Sequence, residues 1–120
     1  NYAMALDEED HRLFTVTRKT PMLVVLDTQT GREVARLRAA GECDDIYFDG
    51  PRKRIYVIGG EGVISVFQQN DPDHYALVSN VPSTIGAKTG YFFAKRDRLY
   101  IGVPAKGNEP AAVWTYEAED

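Results

Sequence analysis

Two adjacent carboxylates, Asp44 and Asp45, are the residues of this sequence best suited to chemistry. Neighbouring carboxylates can coordinate a cation or exchange protons with a substrate. Consecutive side chains of a strand point to opposite faces, so the pair can address one ligand only where a bulge turns one of them. The alternative is structural: one Asp caps a turn or bonds the backbone of a neighbouring element.

The remaining candidates favour structural roles. His11 and His74 each lack a second His or Cys at ligand spacing, so the sequence predicts a structural or surface role for each and no metal site. The segment 59–62, Gly-Gly-Glu-Gly, lacks the lysine and helix of a phosphate loop and predicts a hairpin turn. Cys43 has no neighbouring His and, like Trp114, is predicted to pack in the core. The sequence predicts no catalytic group of residues and no cofactor.

Charge and composition exclude several classes of partner. The 120 residues carry a net charge of −4 with acidic and basic residues interleaved, which disfavours nucleic acid. The one basic cluster, Arg52 to Arg54, is predicted to be a solvated turn. The single cysteine forms no internal disulfide, the first residues do not resemble a signal peptide, and no apolar run approaches the ~20 residues of a membrane span.

A repeat organises the whole chain. A basic residue, an aliphatic residue and an aromatic residue follow one another three times, as Arg12-Leu13-Phe14, Arg54-Ile55-Tyr56 and Arg98-Leu99-Tyr100. The spacing from one aliphatic residue to the next is 42 and then 44 residues. That period is typical of four-stranded β-propeller blades, which span about 40–50 residues each. Several of the strands are apolar on both faces, as expected where neighbouring blades cover both sides of a sheet.

The pattern therefore predicts an all-β fold of about three antiparallel blades, at 1–41, 42–86 and 87–120, in which the last blade lacks its outer strand. The predicted strands are 2–7, 12–18, 22–27, 33–38, 45–49, 54–59, 62–68, 75–79, 90–94, 98–103 and 111–117. The residues predicted to be buried between blades are Phe14, Val16, Val25, Ile55, Val57, Ile64, Val66, Phe92, Leu99, Ile101 and Val113.

The blades resemble a known family. The segments Leu13 to Thr17 and Ile55 to Val57 resemble the YVTN-type blade motif, and VVLDTQTGREVARL resembles its turn into an outer strand. The stretch from Asp44 to Gln69 and the segment DRLYIGVPAKG are similar to the C-terminal blades of bacterial YncE-like propellers. The resemblance implies a seven-bladed, commonly exported protein, hence a periplasmic or secreted location, whose last blade is completed by a strand from the N-terminus.

In a propeller the innermost strands line a central channel. Asp44 and Asp45 begin the innermost strand of the second blade, and the matching positions are Tyr2-Ala3 in the first blade and Thr89-Gly90 in the third. We expect Asp44, Asp45, Lys88 and Thr89 at the channel mouth. The chain is interpreted as a binding or scaffold module, and the alternative is a fragment of a propeller enzyme resembling lactone hydrolases or quinoproteins. Three blades cannot close a ring, so the expected partner is a second copy, with a dimer favoured, or further blades of a longer chain.

Overall fold

The computed structural model describes residues 3–119 as eleven strands in three antiparallel sheets. The strands are β1 Met4–Asp7, β2 Arg12–Thr17, β3 Met22–Asp27, β4 Glu33–Arg38, β5 Cys43–Asp49, β6 Arg54–Gly59, β7 Val63–Asp71, β8 His74–Pro82, β9 Thr89–Phe93, β10 Arg98–Val103 and β11 Ala112–Glu117. Tyr2, which falls in the predicted strand 2–7, lies outside the described residues.

Each sheet is one blade built from consecutive strands. Strands β1 to β4 form blade 1, β5 to β8 form blade 2, and β9 to β11 form blade 3. This order confirms the predicted all-β blades of four, four and three strands. The only helical segment in residues 3–119 is one short 3-10 turn, Ala94–Arg96, and none of those residues belongs to a helix able to cross a membrane.

The turn between the first two strands has the same shape in all three blades. The last turn residues are His11, Lys53 and Asp97, and each has a φ between 54° and 58°. Residues other than glycine adopt this left-handed conformation uncommonly, so three occurrences at one repeat position identify a shared turn geometry. His11 is an exposed member of this turn, as predicted. His74 is also exposed, and its Nδ1 lies 2.8 Å from Asp71 Oδ1. The hydrogen bond to Asp71, and then the charge of that carboxylate, raise the pKa of the imidazole.

Apolar side chains fill the two spaces between blades. We call the face of a blade that points towards the following blade its front face, and the opposite one its back face. The front face of blade 1 and the back face of blade 2 together bury Phe14, Val16, Leu23, Val25, Ile46, Ile55, Val57 and Phe67. The front face of blade 2 and the back face of blade 3 bury Tyr56, Ile58, Ile64, Phe92, Leu99 and Ile101. Nine of the eleven predicted core residues are buried, and Val66 is partly buried against the second cluster.

Three expectations about burial are wrong. Val113 is exposed because it lies on the front face of blade 3, where no described residue covers the sheet. Trp114 is exposed because it belongs to β11, the edge strand of its sheet. The basic cluster begins in a turn, as predicted, but Arg52 is not solvated, since its side chain is 13% exposed and bonds Asp49 at 3.3 Å and Asp97 of blade 3 at 2.9 Å.

Leu99 tests whether blade 3 packs against blade 2. The Leu99→Ala substitution removes a buried side chain from the second cluster. We expect it to lower the free energy of unfolding by about 2–5 kcal/mol, measured by urea titration at one fixed protein concentration. Val78→Ala, at an exposed position of β8, is the matched control and should change that free energy by less than about 0.5 kcal/mol. Equal effects of the two substitutions would contradict the packing of blade 3.

Candidate functional site

The innermost strands begin at one edge of the molecule, which we call the mouth. Asp44 lies there, at an irregularity in the pairing of β5 with β6. Its Oδ1 is 3.9 Å from Arg18 Nη1 of blade 1, and its Oδ2 is 3.9 Å from Lys88 Nζ, which precedes β9 of blade 3. All three side chains are exposed to solvent, so these ion pairs are weak. The mouth is therefore a polar surface on which one carboxylate lies between two cations from neighbouring blades.

Asp45 bonds the backbone of the neighbouring blade. Its Oδ2 accepts a hydrogen bond of 2.8 Å from the Gly90 N–H, and the Tyr47 hydroxyl donates to the Gly90 carbonyl oxygen. Blade 2 thus holds both polar groups of one residue in β9. Gly90 cannot be replaced by a larger residue, because a Cβ at this position would overlap the backbone carbonyl oxygen of Tyr100 and lie 2.8 Å from Ile58 Cδ1. This geometry matches the structural alternative for the Asp pair.

Burial governs the acid–base properties near the mouth. Desolvation raises the pKa of Asp45, the Gly90 N–H lowers it, and the charge of Asp44 raises it further. The same cause raises the pKa of the buried Cys43 thiol to about 12, and its Sγ donates a hydrogen bond to the Asp45 carbonyl oxygen. Cys43 is therefore protonated at neutral pH and packs in the first cluster, as predicted. Within residues 3–119, no three His, Cys, Asp or Glu side chains converge to hold a metal ion.

Sequence reasoning placed only part of this surface. The structure brings Asp44 and Lys88 together and leaves Thr89 exposed beside Lys88 at the start of β9. Arg18 was missed, although it follows the second strand of blade 1, and such strands end at the edge where the innermost strands begin. The segment 59–62 is the predicted hairpin turn, and Gly62 supplies it with a φ of 105°.

Two apolar faces are left uncovered at the ends of the row of blades. On the back face of blade 1, Met4 and Leu6 are exposed and Leu13 and Leu26 are half-buried. On the front face of blade 3, Tyr91, Phe93 and Val113 are exposed and Tyr100 is half-buried. Several exposed apolar side chains thus share each of these two faces.

The uncovered faces repeat the covered ones. Along the repeat, Tyr91 and Tyr100 occupy the positions of Tyr47 and Tyr56, which lie on the covered front face of blade 2. Leu6 and Leu13 occupy the positions of Phe48 and Ile55, which lie on the covered back face of blade 2. Each terminal face therefore repeats apolar positions that are packed against a blade elsewhere in the chain.

A groove of about 380 Å³ lies between blades 2 and 3, beside the edge strand β11. Tyr56, Val66, Leu99 and Tyr116 form part of its apolar lining, and Arg54 and Glu119 lie at its polar side. In blade 2 the corresponding place beside the third strand is filled by β8. Within residues 3–119 no strand pairs with the outer edge of β11, and this edge and the groove together mark where a fourth strand would complete the sheet.

Comparisons with known proteins establish the fold. No protein family model matches the chain, and no curated protein does. Among solved structures, the chain is similar to hydrazine synthase of Kuenenia stuttgartiensis, a β-propeller-containing protein, with a TM-score of 0.81 over 96% of this chain and 15% sequence identity. The chain spans about a third of that protein, since the similarity covers 33% of it. This likeness confirms the predicted propeller blades, while the similarity to YVTN-type proteins remains a resemblance of motifs.

Proposed function

We propose that the chain is a β-propeller scaffold module that pairs with a second copy to close a ring, with a polar binding surface at the mouth of its channel. The observation that carries this proposal is the kind of residue on the two terminal faces. The front face of blade 3 and the back face of blade 1 have the residue classes that are buried at both internal interfaces, and they are exposed.

The order of the blades sets how two copies would meet. Inside the chain, a front face always packs against a back face. Blade 3 of one copy would therefore pack against blade 1 of the other, and the reverse contact would close the ring. Such head-to-tail interfaces form rings when the rotation closes. Propellers use typically 4–8 blades, so two copies with six blades fit this range and three copies with nine exceed it.

Ring closure would create the channel whose mouth carries the predicted site. Asp44, Lys88 and Thr89 are exposed there, and Arg18 joins them from blade 1. This mixture of charges suits a small polar ligand with both donor and acceptor groups. Asp45 accepts a hydrogen bond from the Gly90 N–H, so its role in this proposal is to position strand β9 and not to contact the ligand.

The mass of the 120-residue chain in solution tests ring closure. We expect light scattering at micromolar concentration to give twice the 13.4 kDa of one chain. Leu6→Glu on the back face of blade 1 and Tyr91→Glu on the front face of blade 3 should each yield a folded monomer, because each puts a charge into the apolar contact. A wild-type monomer at these concentrations would contradict the proposal and favour cover by further blades of a longer chain.

Matched variants distinguish this contact from general loss of stability. Leu77→Glu is the control, since Leu77 is 46% exposed against 49% for Leu6 and does not lie on a terminal face. It should remain a dimer. Mixing Leu6→Glu with Tyr91→Glu should restore association, because the first retains an intact front face and the second an intact back face. Persistence of the Leu6→Glu dimer alone would show that two identical faces meet instead.

The alternative is that the blades belong to a propeller enzyme, as the name of the similar hydrazine synthase structure suggests for that protein. We expect no turnover of a lactone and phosphoester panel, because Asp45 is bonded to Gly90 and Asp44 lies between two cations. Calorimetric titration with Ca²⁺ and Zn²⁺ should likewise show no tight site. Clear turnover that Asp45→Ala and Asp44→Ala abolish, while both variants stay folded, would contradict this expectation.

A further inference from the structure

Three arginines hold the same position in the three blades. Each begins the second strand and is braced by the residue opposite it on the third strand of its own blade. The braces are Arg12 Nη1 to Asp27 Oδ2 at 3.5 Å, Arg54 Nε to Gln68 Oε1 at 3.5 Å, and Arg98 Nη1 to Glu117 Oε1 at 3.3 Å. Each brace engages one nitrogen of the guanidinium, and the group carries five N–H donors, so donors remain for a second partner.

The first two arginines reach across to the following blade. Arg12 Nε donates a hydrogen bond of 2.9 Å to the Pro72 carbonyl oxygen, and its Nη2 lies 2.6 Å from Asp73 Oδ1. Arg54 Nη1 donates to the Glu119 carbonyl oxygen. Pro72 and Asp73 lie just after the third strand of blade 2, and Glu119 lies just after the third strand of blade 3. In both cases the acceptor is a backbone carbonyl of the segment that follows the third strand of the next blade.

Arg98 has the brace without the cross-blade contact. Its side chain is 38% exposed, against 11% for Arg12, because no described residue lies beyond the front face of blade 3. The segment that follows the third strand in blade 1 is the turn 28–32, and all of its residues are exposed. The chain thus carries a donor without its acceptor at one end and an acceptor segment without its donor at the other.

We infer that Arg98 of one copy donates hydrogen bonds to backbone carbonyls of the turn 28–32 of a second copy. This inference rests on the proposed ring closure, and it names the polar contact that fixes the register of the two copies. The acceptors common to both internal contacts are backbone carbonyl oxygens, and the Arg12 contact adds the Asp73 carboxylate. Asp27, which precedes this turn, is itself paired with Arg12 of its own blade at 3.5 Å.

The dissociation constant of the dimer tests the inference, measured by sedimentation velocity over a dilution series. We expect Arg98→Ala to raise it by about tenfold or more, because hydrogen bonds to a charged group are lost at both interfaces of the ring. Arg98→Lys should give a smaller rise in the dissociation constant, since lysine keeps the positive charge and lacks the several fixed N–H donors of the guanidinium. Arg96→Ala removes the same charge from an exposed position two residues away and should leave the constant within about twofold of the wild-type value.

A second measurement examines the acceptor, which cannot be deleted because it is backbone. Hydrogen exchange should show amides 28–32 more protected in the dimer than in the Leu6→Glu monomer, with that protection reduced in Arg98→Ala. The thermal midpoint of diluted, monomeric Arg98→Ala should match that of the diluted wild type, which separates loss of contact from loss of fold.

The outcomes separate the inference from the proposal beneath it. A wild-type chain that stays monomeric overturns ring closure, and the inference falls with it. A wild-type dimer that Arg98→Ala does not weaken leaves ring closure standing and shows that Arg98 is not the contact. A weakened Arg98→Ala dimer with unchanged exchange at 28–32 shows that the acceptor lies elsewhere.

Discussion

Every blade of this chain is a sheet with two apolar faces, and this single constraint governs the structure. A sheet with one polar face can rest on a core and meet water, whereas a sheet apolar on both faces needs a neighbour on each side. Blade 2 has both neighbours, and its strand β6 is accordingly buried from Ile55 to Gly59. Blades 1 and 3 each have one neighbour within the chain. The apolar surface left on their outer faces is the direct consequence of a repeat that gives every blade the same two-sided design.

The repeat also explains which parts of the fold could be predicted from sequence. Strands and turns depend on local patterns, so the Arg-aliphatic-aromatic triplet indicated blade positions without any knowledge of tertiary contacts. Burial was predictable for Ile55 and Leu99, which face a blade within the chain. It was not predictable for Val113, which has the same residue class and the same strand position as Ile64. The difference between them is whether another blade covers the face, and the sequence of the strand itself does not contain that information.

Polar contacts between blades were even harder to predict from the sequence than burial was. Arg18, Arg52 and Arg54 each contact a partner more than twenty residues away, Arg18 at the mouth and the other two at the opposite edge, where segments of different blades come together. The sequence could predict that the side chains of Asp44 and Asp45 point to opposite faces of the sheet, because consecutive residues of a strand do so. It could not assign Asp45 to Gly90, because that bond depends on the close approach that the absence of a Cβ at Gly90 permits. Positions that lack a side chain carry information of this kind only after the fold is known.

Buried polar groups make the internal interfaces different from the open one. Asp7 at the end of β1 is buried and accepts a hydrogen bond of 3.1 Å from Gln69 Nε2 of blade 2, and Asp49 is buried against Tyr56 and Arg52. The same repeat position in blade 3 is Phe93, which is exposed. A carboxylate on that face would require a specific partner when covered, since an unpaired buried charge is strongly destabilising. Phenylalanine gains from any apolar cover, so under the proposed closure the contact between copies draws its strength from apolar area, and the directional bonds of Arg98 are left to set its register.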